Sequence, residues 1–279
     1  MSKLVKALMK SKSLVKPSRP QEREESASDS ETDISVIAED LALLEPESDS
    51  RELQVIEEPW LRSVPELSER RILHAGKNIP GVEKAFRELR TSLIEKTQGK
   101  NSTILICSIT DDGGSSFVAI NLAVAFAFDR RRRVGVIDCH LQNPTEYSSL
   151  LDEDVNGLTD FVENPECGIE AVFHTCGIPR VRICPPGKHL ESQRDYFTDK
   201  RMQKLLVDSK RRNRENYFFV DAPSAAHSAG TRALAKVCDY VLLVANYGSA
   251  TTRQLERALS NLPREKMLGI CFNNDLSVK

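Results

Sequence analysis

The segment 103–144 constrains this chain more than any other. An apolar β-type run, Ile104 to Ile109, enters the turn Asp111-Asp112-Gly113-Gly114-Ser115-Ser116, and a helical pattern, Phe117 to Phe128, leaves it. Strand, glycine-rich turn and helix in that order make a phosphate-binding loop. The glycines let backbone N–H groups close around phosphate oxygens, and the helix N-terminus adds the positive end of its dipole. A standard loop reads Gly-x-x-x-x-Gly-Lys-Ser/Thr, with the lysine on the outer phosphates and the hydroxyl on a metal ion. Here Gly114 is followed by Ser115, Ser116 and Phe117, so serine stands where lysine belongs and only Ser116 keeps its type.

Around this loop, strands and helices alternate. Nearly all-apolar runs mark strands at Thr103–Ile109, Val134–Asp138, Val181–Cys184, Tyr217–Asp221, Tyr240–Ala245 and Met267–Phe272. Apolar residues at helical spacing mark helices at Val82–Lys96, Ser116–Asp129, Gly157–Val162, Lys200–Arg211, Thr231–Val237 and Ala250–Leu262. Strands apolar on both faces belong to a parallel sheet covered on both sides, so the fold class is α/β, doubly wound. Ligands of such sheets bind beyond the carboxyl ends of the strands, where Asp111, Asp138 and Asp221 fall.

The formal charge of −2 over 279 residues hides a strong asymmetry. Residues 1–16 carry lysines and no acid, with Leu4, Val5, Leu8 and Met9 at helical spacing; this basic amphipathic helix suits peripheral contact with an anionic membrane through residues 3–16. Residues 17–59 are rich in Pro, Ser, Glu and Asp and read as a disordered acidic linker, within which Leu41–Leu44 is a stray apolar cluster. Residues 60–279 form the folded domain, with Trp60, Leu61, Val64 and Leu67 folding back onto it. No run of eighteen apolar residues occurs and the N-terminus lacks the apolar core of a secretory signal, so the expected location is the cytoplasm, at the inner face of the membrane. Seven cysteines sit mostly in or beside strands, without metal-ligand spacing, as in a reducing compartment. The arginines at 130–133 end a helix, where positive charge suits the dipole, and no aromatic interleaving supports nucleic-acid binding.

Four segments in order resemble the cytoplasmic domain of bacterial tyrosine kinases that accompany polysaccharide co-polymerases, within the deviant P-loop partition ATPases. They are Ala85-Phe86-Arg87-Glu88-Leu89-Arg90-Thr91-Ser92-Leu93, the loop at 108–123, Val136-Ile137-Asp138-Cys139-His140-Leu141-Gln142-Asn143-Pro144, and Tyr217-Phe218-Phe219-Val220-Asp221-Ala222-Pro223-Ser224. Gly157-Leu158-Thr159-Asp160 and Pro186-Gly187-Lys188 echo the same family. The resemblance covers residues 82–272. It implies ATP and Mg as cofactors, with nucleotide on Gly113, Gly114, Ser115 and Ser116. The metal falls to Ser116 and Asp138, catalysis to Asp138 and Asp221, and ring assembly to Arg87 and Arg90.

The departures fall on the chemistry. The family's Pro-Gly-Glu-Gly-Lys-Ser-Thr aligns with Asp111 to Phe117. A second aspartate has become His140, which reads as drift, and Gln142 and Asn143 replace arginines. The assembly motif's acid is Lys84, and the tyrosine-rich acceptor tail is absent. Losing the lysine forfeits about 1.5–3 kcal/mol per charge-assisted hydrogen bond. Asp112 about 5 Å from a phosphate, at an effective dielectric near 20, adds about 3 kcal/mol of repulsion. Together these move micromolar ATP binding toward millimolar.

The expectation is a degenerate, kinase-like partner of a membrane polysaccharide co-polymerase in exopolysaccharide biosynthesis or export, capable of self-association. Two alternatives stand beside it. One is an active tyrosine kinase or ATPase that borrows a cation from Lys188, the 130–133 run or a neighbouring subunit; the other is a partition-type ATPase.

Overall fold

Strands that are apolar along nearly their whole length are stable only with both faces covered, and that is how β1 (Ser102–Ser108), β2 (Val134–Asp138) and β5 (Tyr217–Ala222) are found: each is buried at every position. With β3 (His174–Thr175), β4 (Val181–Cys184), β6 (Tyr240–Asn246) and β7 (Met267–Asn273) they form one sheet in the order β3-β4-β2-β5-β1-β6-β7. All pairings are parallel except the short edge pair β3/β4. The computed structural model describes residues 56–76, 78, 80–152, 154–188, 196–212, 217–248 and 250–274. The basic helix at 1–16, the Leu41–Leu44 cluster and nearly all of the 17–59 linker lie outside the described residues.

One face of the sheet carries α1 (Val64–Glu69), α2 (Pro80–Lys96) and α3 (Ser115–Ala127). Phe86, Leu89 and Leu93, one stripe of α2, pack there with Leu67, Ile72 and Leu73. The α3 helix is sandwiched between α2 and the sheet, so it is buried almost all round; its Phe126 ring lies 4.5 Å from Tyr217 and 5.4 Å from Phe219. The other face carries α4 (Leu158–Glu163), α5 (Lys200–Arg212), α6 (Ala229–Val237) and α7 (Thr252–Ser260), with Phe161, Leu205, Leu206, Leu234 and Ala258 facing the strands. The doubly wound architecture expected from the alternation is present, and each expected helix end lies within two residues of the one found. The short α1 and the edge strand β3 carry too few residues for a periodic signal.

The fold takes hold of the chain before Trp60. The Ile56 amide bonds the Arg130 carbonyl at 2.9 Å. Glu58 reaches Arg182 at 2.8 Å, Arg133 at 3.0 Å and the Arg180 amide at 2.7 Å, and Glu57 pairs with Arg130. Residues 56–59 therefore belong with the folded unit, not with the linker. The same contacts fix the 130–133 run at the amino edge of β2, opposite the phosphate loop. Arg132 completes it with Asp129 at 3.1 Å and the face of Tyr217.

Candidate functional site

The loop between β1 and α3 keeps its glycines for steric reasons that are still legible. A Cβ on Gly113 would come within 2.5 Å of the Ser108 side chain. Gly114, at φ +86°, is the N-cap of α3, and a Cβ there would meet the Asn273 amide at 2.0 Å. Asp112 also lies in the left-handed region, at φ +55°, where the resembling loop has glycine. Ser115, buried, is the first helical residue, so the position that should project a lysine carries a small neutral side chain. Acid replaces it at the loop mouth: Asp112 is exposed, and Asp111 accepts from Ser224 Oγ at 2.5 Å, with His227 Nδ1 3.5 Å away.

Asp138 and Asp221 end β2 and β5 and are Cα partners in the sheet register, so both carboxylates reach the same edge, fully buried. Asp138 is held on all sides. Its Oδ2 accepts from Thr145 Oγ1 and Ser148 Oγ, each at 2.7 Å, and from the Thr145 amide at 2.9 Å; its Oδ1 accepts from the His140 amide at 3.0 Å. Asp221 Oδ2 accepts from buried Tyr147 at 3.0 Å. Asp221 Oδ1 is buried with no hydrogen-bond partner among the described residues.

His140, which reads as drift in the sequence, stands against both aspartates. Its Nδ1 lies 3.2 Å from Asp138 Oδ1 and 3.6 Å from Asp221 Oδ2, placing the imidazole between the two carboxylates. Burial pulls the His140 pKa down, but the hydrogen bond to Asp138 and the charges of Asp221 and Asp138 outweigh it and the pKa is raised. Burial pushes Asp221 up to about 6; His140 pulls it down, the Asp138 charge pushes it up, and Ser116 and Tyr147 pull it down by hydrogen bonding. The imidazole thus lies against two carboxylates that share a dry corner and favour its charged form. His227 likewise has partners, Asp111 and Ser224, that spacing did not reveal.

A cleft of about 1670 Å³ opens over this edge, lined by the loop and by residues that no motif signalled, among them Arg71, His74, Tyr147 and Asn273. Asn121 positions its far wall: the buried amide accepts from the Leu73 amide at 2.7 Å and donates to the Arg71 carbonyl at 3.0 Å. Interactions across 48 and 50 residues have no short-range sequence pattern.

The structure brings Gly113, Gly114, Ser115, Ser116, Asp138 and Asp221 to one edge. Arg87 and Arg90 lie elsewhere, on α2. Arg87 is exposed and paired with Glu83 at 2.6 Å, whereas Arg90 is turned inward, donating to the Ala125 carbonyl of α3 at 2.8 Å.

These residues do not fit magnesium nucleotide held in the manner the resemblance implies. Magnesium demands near-octahedral oxygen ligands, and here an imidazole nitrogen stands within 3.6 Å of Asp221. The 130–133 run is at the opposite edge of the sheet and cannot stand in for the lysine. Lys188 is half-exposed, 4.0 Å from Asp154.

The buried Cys107 and Cys139 thiols are pushed up by burial first and by neighbouring aspartates second, so neither is a ready nucleophile. No described helix is long and apolar enough to cross a membrane.

No protein-family model matches the chain. A tyrosine-protein kinase, wzc, of Salmonella typhimurium is 21% identical over 217 residues, covering 77% of this chain and 30% of that protein. The succinoglycan biosynthesis transport protein ExoP of Rhizobium meliloti is 24% identical over 193 residues, covering 67% of this chain and 24% of ExoP. The chain thus spans about 30% of the length of the first curated relatives it matches. The kinase domain of the Escherichia coli tyrosine kinase ETK superposes with a TM-score of 0.63 at 22% identity, over 75% of this chain and 86% of that domain. The chain is similar to the bacterial tyrosine-protein kinases and shares the fold of their kinase domain, with Ser115 where a standard phosphate loop carries lysine.

Proposed function

We propose that this chain acts by binding rather than by phosphoryl transfer, as a kinase-like partner of a membrane polysaccharide co-polymerase in exopolysaccharide biosynthesis or export. The observation that carries the reading is the pairing of Ser115, where the transferring phosphoryl group needs a cation, with His140 between the two aspartates that would otherwise serve a metal. Transition-state charge on a phosphoryl group must be neutralised, and this edge offers carboxylates first. The exopolysaccharide setting rests on relatives such as ExoP, named for succinoglycan biosynthesis and transport. Self-association through α2 and membrane contact through residues 3–16 belong to the same proposal.

The test is calorimetric titration of the full chain with Mg-ATP and Mg-ADP, beside a Ser115→Lys, Asp112→Gly double variant. Asp112→Gly suits the φ of +55° at that position. Binding by the variant alone supports a folded but disabled site. Micromolar binding by the unaltered chain sinks the proposal.

One observation keeps a second reading in play. Arg71 is exposed on the wall of the same cleft and could supply the missing positive charge. Under that reading the chain is an active kinase, and Arg71→Ala abolishes both ATP binding and phosphorylation.

A further inference from the structure

Asp138, His140 and Asp221 form a donor set that a magnesium nucleotide does not use. One ligand atom from each lies within 4.8 Å of the others, with the imidazole 3.2 and 3.6 Å from its two carboxylate neighbours. Nitrogen and oxygen ligands about 2.0–2.2 Å from a shared ion stand roughly 3.0–3.6 Å apart at tetrahedral or octahedral angles. The two imidazole–carboxylate spacings are therefore those of a formed site.

Three further features point the same way. Both carboxylates are oriented from behind, Asp138 by Thr145 and Ser148 and Asp221 by Tyr147, as the outer partners of metal ligands are. Asp221 Oδ1, fully buried and without a partner among the described residues, is an acceptor whose burial is costly unless something donates to it or ligates it. His140 lines the cleft, which gives an ion a way in.

The imidazole decides the kind of ion. Carboxylate and water ligands alone suit Mg²⁺, whereas nitrogen shifts preference to zinc, cobalt and their neighbours. We propose that Asp138, His140 and Asp221 hold one divalent transition-metal ion of the zinc type, and that it loads without nucleotide. The inference stands apart from the scaffold proposal, since it concerns loading in the absence of ATP.

The full chain, stripped with chelator and dialysed, would be titrated with Zn²⁺ by calorimetry and with Co²⁺ by visible absorption, in millimolar Mg²⁺. One ion per chain is expected, with affinity falling more than about 100-fold in His140→Ala and in Asp221→Asn. His227→Ala, which changes the histidine beside Asp111, should bind as the parent does. Melting curves in chelator establish that each variant is folded. Absence of binding, unchanged binding in a folded His140→Ala, full displacement by Mg²⁺, or a thiolate charge-transfer band from the cysteines would each overturn the proposal.

Discussion

Asp138 and Asp221 face each other as register partners at the ends of β2 and β5, both fully buried, and His140 lies against both. Returning the acid of the resembling motif, His140→Asp, would put three carboxylates into this corner. Two charges about 4 Å apart at an effective dielectric near 20 repel by about 4 kcal/mol. The variant should be less stable than the parent by about 2–4 kcal/mol in chelator. It should recover in millimolar Mg²⁺, because three oxygen ligands suit that ion where imidazole does not. Urea unfolding with and without Mg²⁺ measures this; a variant as stable as the parent in chelator would mean that the imidazole compensates no charge.

Glu58 ties the start of the folded unit to β4 and to the 130–133 turn. Burial works to raise its pKa, but hydrogen bonds from Arg182 and the Arg180 amide, with the charges of Arg182 and Arg133, hold it at about 2 against an ordinary 4.5. A carboxylate with a depressed folded pKa adds stability that is fully present above its unfolded value and is lost as pH falls toward the folded one. Stability should fall between about pH 5 and pH 2 more steeply in the parent than in Glu58→Gln. At pH 7 that variant should be destabilised by about 2 kcal/mol. Parallel pH slopes for the two proteins would show that the Arg182 contact contributes nothing.

The sheet was readable because its central strands are buried on both faces and carry uninterrupted apolar runs, as in Ile104 to Cys107 and Tyr217 to Val220. The loop was readable because glycines at 113 and 114 answer to contacts with Ser108 and Asn273 that only a missing Cβ permits. What escaped was long-range and polar. Asn121 bonds residues about fifty positions away, Tyr147 reaches Asp221 across 74, and Glu58 reaches Arg182 across 124. His140 was visible as a departure from a motif, but its role depends on the β2/β5 register, which brings Asp221 beside it. The resemblance put Arg90 with Arg87 in ring assembly. Spacing along α2 alone cannot tell that its guanidinium turns toward α3.

Gly157 precedes α4 and packs on the turn after β4. A Cβ there would meet the Pro185 carbonyl at 2.3 Å and the Gly187 amide nitrogen at 2.5 Å, all backbone and unable to yield cheaply. The Asp160 carboxylate closes the same junction, accepting from the Gly157 amide at 2.7 Å and the Lys188 amide at 3.1 Å. Gly157→Ala should therefore cost about 2–3 kcal/mol by overpacking. Asp160→Ala should cost a similar amount by leaving two amides without their acceptor. Chemical denaturation of both variants tests this, and a loss below about 0.5 kcal/mol for Gly157→Ala would show that the junction relaxes freely.

Arg87 and Arg90 separate the two roles that one helix face could play. Arg87 is 64% exposed and its pair with Glu83 lies within one turn of α2, so Arg87→Ala should change stability by less than about 0.5 kcal/mol. Arg90 bonds the Ala125 carbonyl in the last turn of α3, so Arg90→Ala should cost about 1–2 kcal/mol. If α2 mediates self-association, Arg87→Glu should shift the sedimentation boundary toward monomer while leaving the unfolding curve in place. Arg90→Ala would instead move the unfolding curve, whatever it does to assembly. An Arg87→Glu protein that sediments like its parent across the concentration range would remove α2 from the interface and leave Glu83–Arg87 as a surface ion pair of the helix alone.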